Sequence, residues 1–333
     1  MLLANESMVY GSKENISPTL FFGYTMQYIN PYDLLNITTL NLSDIDGKTV
    51  LREKRKLLHE IELSDTVSLN YEGIDLTKAD CIRAVDELDD RNKREFHFFI
   101  FQNKPLNAFL TKGSIIFFDR YQAESIYKLP QFLDFISPYF SLQYDKLLSD
   151  SFKNRDISSV SKIISVKPIT NESYFESCYK STYSIIRNID KEINEINKEI
   201  ELKQSPFIKN NFSGLVSLIK DKIDVEVINR LPSYFQSIRN QIAVSIRNIE
   251  VILYNDPYNN YTSAFRLIEF AKDIDTDGLA LKTITKSYYL VKDQYERSKS
   301  KLRQLPIHRL LSQAQSQQVV KMKMTKKILK YLK

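Results

Sequence analysis

The chain has 333 residues, with 47 lysines and arginines against 41 aspartates and glutamates, a formal net charge of +6, 43% hydrophobic residues and 26% charged ones. That balance supplies a normal buried core and excludes disorder over most of the length, and the length itself fits about two domains. Two distant cysteines, Cys81 and Cys178, exclude a disulfide framework.

The first ten residues have an apolar start but no basic segment and no long apolar core, so they do not read as a signal peptide. Residues 19–29 are aromatic and β-branched and predict a strand that Asn30-Pro31 stops. Residues 37–42 predict a second short strand, and Asp46-Gly47 a tight turn. Residues 48–59 fit either a short helix or a long hairpin arm. Alternation from Ile61 to Tyr71 predicts a strand. Thr77 and Asp80 form an acidic version of the capping box and open a helix through Ile82, Val85 and Leu88. Asp86, Glu87, Asp89 and Asp90 crowd its C-terminal end, which the helix dipole disfavours.

Residues 95–119 predict an antiparallel meander, with strands 95–102, 106–111 and 114–119 and turns at Asn103-Lys104-Pro105 and Lys112-Gly113. Helical patterns follow at 121–136 and 139–153, on either side of Pro138, and a strand is expected over 160–166. Beyond Asn171 the pattern turns helical. Ile186, Ile189, Ile193, Ile196 and Ile200 recur at heptad spacing and predict a coiled-coil-like helix within 172–203. Further helices are expected over 212–230, 233–254, 260–272, from Gly278 onward, and over about 307–333. The expected fold is therefore α+β: a mainly antiparallel sheet domain over 1–168, then an all-α domain over 169–333.

Charge is distributed unevenly. Residues 282–333 hold fourteen lysines and arginines and only two acids, Asp293 and Glu296, a net +12 that leaves −6 for residues 1–281. Arg297, Lys299, Lys301, Arg303, Lys321, Lys323, Lys326, Lys327 and Lys330 are the candidate phosphate contacts, because backbone recognition in nucleic acids needs clustered cations. Tyr288, Tyr289 and Tyr295 interleave with them. A solvated helix face is the competing reading.

Chemistry-bearing motifs are sparse. Three histidines and seven glycines leave little material for a catalytic base or a phosphate loop, and no GxSxG, CxxC, HExxH, Walker or GxGxxG pattern is present. Asp44, Asp46 and Glu53 would hold Mg2+ if they converged, near the Asp…Glu-x-Lys arrangement of metal-dependent nucleases, although Arg55 stands in the last position. An ordinary hairpin turn competes with that reading. Arg91, Asn92 and His97 have the spacing that some helical ribonucleases place on a helix, but here His97 falls in a predicted strand. Phe96, Phe98, Phe99, Phe101, Phe117, Phe118 and Tyr121 suit either a base-stacking platform or, more simply, a core.

The first expectation is thus a cytoplasmic, non-enzymatic nucleic-acid-binding or assembly protein acting through its basic C-terminal helices within a complex. No cofactor is evident, and no apolar run is long enough to span a membrane. The isoleucine seam is the candidate contact for a partner or a second copy; covering by a neighbouring helix of the same chain competes. A metal-dependent nuclease is the second reading and a purely structural or regulatory module the third. Abundant Ile, Asn, Lys and Ser point to an AT-rich gene, the composition of many mobile elements, and suggest a mobile-element or antiviral defence context.

Overall fold

Side-chain caps rather than hairpin turns punctuate the N-terminal half. In the computed structural model, which describes residues 27–39, 41–63, 68–202, 212–256 and 260–304, the helices begin with α1 (Pro31–Leu34), opened by Asn30 accepting from Tyr32 N at 3.0 Å, and α2 (Gly47–Leu63). Strands β1 (Ser68–Tyr71) and β2 (Ile74–Thr77) pair antiparallel, with Leu69 opposite Leu76 and Tyr71 opposite Ile74. Glu72 and Gly73, with φ of 52° and 86°, make the tight left-handed turn between them. α3 (Lys78–Asp86) starts at the Thr77–Asp80 capping box, with Thr77 N donating to Asp80 at 3.0 Å and Asp80 N to Thr77 at 3.2 Å.

The expected meander is three helices: α4 (Arg91–Gln102), α5 (Lys104–Lys112) and α6 (Ile116–Asp119). Among the described residues the N-terminal half is therefore helical around a single two-stranded hairpin, and the antiparallel sheet domain is corrected accordingly. Two physical causes explain the misreading. The supposed turn residues are helix caps: Asn103 accepts from Leu106 N at 3.1 Å with a proline in the first turn, and Gly113 closes α5 at φ +69°. The aromatic run lacks helical periodicity because that stretch of α4 is covered all round, with His97, Phe98, Ile100 and Phe101 buried and Phe96 and Phe99 packed on the core. The crowded acids also resolve. Asp90 caps α4 by accepting from Lys93 N at 3.0 Å, so the charge lies before a helix N-terminus.

α7 (Pro130–Lys153) runs straight through Pro138, joining the two helical patterns that sequence separated. The strand expected over 160–166 is helix α8 (Ile157–Ser165), capped by Asp156. Of the strand expected over 19–29, residues 19–26 lie outside the described residues and 27–29 are irregular; residues 42–44 form a 3-10 turn rather than a strand end. Residues 61–63 belong to α2 and 68–71 to β1.

α9 (Glu172–Phe175), α10 (Lys180–Glu201), α11 (Phe212–Lys222), α12 (Val225–Arg230), α13 (Gln236–Tyr254), α14 (Tyr261–Asp273) and α15 (Gly278–Gln304) complete the described helices and lie within the helical patterns expected from 172 onward, while the helix expected over about 307–333 lies outside the described residues. The larger buried cluster runs from Tyr28 and α4 to Val291 on α15, and Val166 and Ile169, on either side of the expected domain boundary, both belong to it. A smaller cluster gathers Tyr32, Leu57, Ile61, Leu76, Cys81, Val85, Phe98 and Phe101. No helix among the described residues is long and apolar enough to cross a membrane.

Candidate nucleic-acid interface

The orientation of α15 is set by three amide side chains that grip the loop before it. Asn229 donates to Asp273 O and accepts from Asp275 N, both at 2.8 Å. Gln236 donates to Asp275 O at 3.1 Å, and Asn240 accepts from Asp277 N at 3.1 Å while donating to its carboxylate at 2.7 Å. Ala280, Ile284 and Val291 then recur on one side of α15 and are buried where it meets α13 and α14. Lys282, Lys286, Lys292, Arg297, Lys299 and Lys301 are left exposed around the remaining surface.

The flank toward α14 is aromatic and cationic. Phe265 stacks on Tyr295 at 4.7 Å and 5°, and tilts against Tyr288 at 5.9 Å. Lys272 and Lys292 lie 4.2 and 5.6 Å from the Tyr288 ring centre, and Lys299 lies 5.1 Å from that of Tyr295. The ammonium groups thus sit on ring faces, a favourable electrostatic contact, and Tyr289 packs edge-on against Tyr288 at 5.5 Å. Tyr289 is the exposed one, at 64%.

The flank toward α13 forms a surface cleft of about 360 Å³, lined by Arg247, Lys282, Thr283, Lys286, Ser287 and Leu290. Arg247 Nε donates to Ser287 Oγ at 3.1 Å, which fixes the guanidinium across the helix pair.

Of the residues singled out by sequence, Arg297 pairs with Asp293 at 2.9 Å, Lys299 packs on Tyr295 and Lys301 is exposed. The side chain of Arg303, and Lys321, Lys323, Lys326, Lys327 and Lys330 entirely, lie outside the described residues. Arg247 and Lys272 escaped sequence reading, because each is one of two well-separated cations in an otherwise apolar or mixed helix, with no run to mark it. In the isoleucine seam, Ile186, Ile193 and Ile200 are buried and Ile189 and Ile196 pack on the same core, where α10 meets α13 and α7.

Asp44, Asp46 and Glu53 are not brought together. Asp44 accepts from Asn41 at 3.1 Å, Asp46 caps α2 by accepting from Thr49 N at 2.7 Å, and Glu53 takes Arg52 and Lys56 at 2.8 and 2.9 Å. Those hydrogen bonds hold the Asp46 and Glu53 carboxyls below the usual range. Among the described residues no group of three His, Cys, Asp or Glu side chains is placed to hold a metal. Arg91 and His97 do share a helix, contrary to the strand reading, but six positions place them on different faces. Arg91 is exposed beside Glu95, whereas His97 is buried between Tyr28 and Glu87. The aromatic set fills the core: Phe98, Phe101, Phe117 and Phe118 are buried, and Phe96, Phe99 and Tyr121 pack against them.

Compared with protein-family models, curated proteins and solved structures, the chain matches none.

Proposed function

We propose that this chain binds nucleic acid electrostatically through α15 and the lysine-rich residues that follow it, as a non-enzymatic component of a cytoplasmic assembly. The supporting observation is the exposed surface of α15: Lys282, Lys286, Lys292, Arg297, Lys299 and Lys301 all face solvent, and only Arg297 is ion-paired among the described residues. A duplex or single strand presents closely spaced phosphates, and a helix with unpaired cations gains affinity by releasing their counterions. The helix, at 1.5 Å per residue, offers that charge along roughly 40 Å. Composition adds the context of a mobile-element or antiviral defence locus.

The test is binding of labelled single- and double-stranded DNA and RNA across a salt series, with the full chain compared to one ending at His308. The expected result is affinity that falls steeply with salt and weakens on truncation. No binding to any of the four at low salt would overturn the reading.

A further inference from the structure

The cleft between α13 and α15 has features that the rest of the basic surface lacks. Its three cations come from two helices: Arg247 from α13, and Lys282 and Lys286 from successive turns of α15. The lysines repel each other at this spacing, and an anion between them relieves that repulsion. No carboxylate lines the cleft, and none of the three cations is ion-paired among the described residues. Arg247 is half-buried and oriented by Ser287, so its planar fork is set before any ligand arrives. Ser287 Oγ accepts that hydrogen bond and keeps its own proton for donation. Thr283 instead donates to Leu279 O at 2.8 Å, so it forms a wall rather than a donor. Glu250, 2% exposed and one turn further along α13, has Oε2 without a hydrogen-bond partner among the described residues. When ionised it offsets part of the Arg247 charge, and the two lysines leave the cleft net positive.

We infer that this cleft seats one backbone phosphate of a bound nucleic acid, with Arg247 as the planar anchor, Lys282 and Lys286 as flanking charges and Ser287 Oγ as a neutral donor. Planar, bidentate recognition of phosphate is the task for which arginine is suited, and flanking ammonium groups act as point charges. The inference rests on the nucleic-acid reading for its occupant and on the cleft alone for its chemistry.

The two are separated by using two probes on the full chain: tripolyphosphate by calorimetry and a fluorescent oligonucleotide by anisotropy. The variants are Arg247→Gln, Lys286→Ala and, as a charge-matched control on α7, Lys146→Ala. The expected result is that both cleft variants lose tripolyphosphate binding, lower oligonucleotide affinity about 10-fold at low salt, and reduce the slope of log K against log salt by about 1 each, with Lys146→Ala unchanged. Lys286 is exposed, so its variant reports on the cleft even if Arg247→Gln perturbs the fold. Equal tripolyphosphate binding by all three variants overturns the phosphate seat. Arg247-dependent tripolyphosphate binding with no oligonucleotide binding upholds the seat and sinks the nucleic-acid occupant.

Discussion

The Tyr28 hydroxyl lies 2.8 Å from His97 Nδ1, with the two rings stacked at 5.7 Å. On the other side of the imidazole, Nε2 lies 2.9 Å from Glu87 Oε2, and Lys93 reaches the same carboxylate at 3.1 Å. A ring nitrogen facing a carboxylate carries the proton, so Nε2 donates to Glu87 and Nδ1 accepts from Tyr28. Burial holds the imidazole below its usual pKa against the pull of Glu87, which keeps it neutral. Tyr28 belongs to the larger apolar cluster, while Phe98, next to His97, belongs to the smaller. The relay is therefore a polar rivet where the two cores meet, and it leaves the Arg91–His97 spacing without a reactive histidine.

Tyr28→Phe removes one donor and strands a buried acceptor. The expected outcome is a loss of about 1–3 kcal/mol in urea denaturation, with oligonucleotide affinity unchanged. An undiminished midpoint would show that the relay is not a stabilising link.

Ile193 tests the isoleucine seam. It is fully buried with Ile186 in the larger cluster, where α10 packs on α13 and α7. Ile193→Ala should cost about 2–5 kcal/mol, the usual range for a buried aliphatic truncation. Because the seam is covered by helices of the same chain, that loss should not depend on protein concentration. A loss that shrinks as concentration rises would instead locate Ile193 at a contact between copies.

Why one half was legible and the other was not follows from particular residues. The seam through Ile186 and Ile193, and the faces through Ile238, Ile242, Ile246 and Ile249, each have one buried side, so their period of 3.6 shows in sequence. The Phe96–Phe101 stretch of α4 has no exposed residue, and a helical segment covered all round reads as a buried strand. Asn103, Pro105 and Gly113 are turn-forming residues, and the same residues cap helices; only the tertiary setting chooses between the two. Thr77–Asp80 escaped the ambiguity because its reciprocal pattern has no hairpin counterpart. For the candidate interface, the lysines of α15 were visible as a run. Arg247 was not, since what brings it opposite Lys282 and Lys286 is the packing of α13 on α15.

Glu250 carries a stability signature. Burial raises its carboxyl from 4.5 to about 7, against the opposing attraction of Arg247. Below pH 4.5 both folded and unfolded chains hold the proton and nothing is lost. Between 4.5 and 7 the unfolded chain ionises while the folded one does not, so stability falls as pH rises and levels off above 7. The shift corresponds to about 3 kcal/mol as an upper bound. Glu250→Gln keeps the shape and abolishes the titration. Its stability relative to the parent chain should therefore improve by about that amount between pH 4.5 and pH 8, as read from denaturation midpoints at the two pH values. A constant difference would show that Glu250 ionises normally in the fold.

The same carboxylate sets a pH dependence for the phosphate seat. At pH 8 an ionised Glu250 offsets Arg247, its charged neighbour on α13; the Tyr254 hydroxyl, further along the same helix, is held above its usual pKa by burial and stays neutral there. At pH 6 Glu250 is protonated and the full positive charge of Arg247 faces the cleft. Removing a nearby negative charge relieves its repulsion of a bound phosphate and raises affinity, by about tenfold for each 1.4 kcal/mol relieved. Phosphodiesters do not titrate in this range, so an oligonucleotide is the clean probe. Its affinity should rise from pH 8 to pH 6, and Glu250→Gln should remove that part of the rise. An identical pH profile in parent and variant would uncouple the buried carboxylate from the cleft, leaving Arg247 to act with its charge undiminished at both pH values.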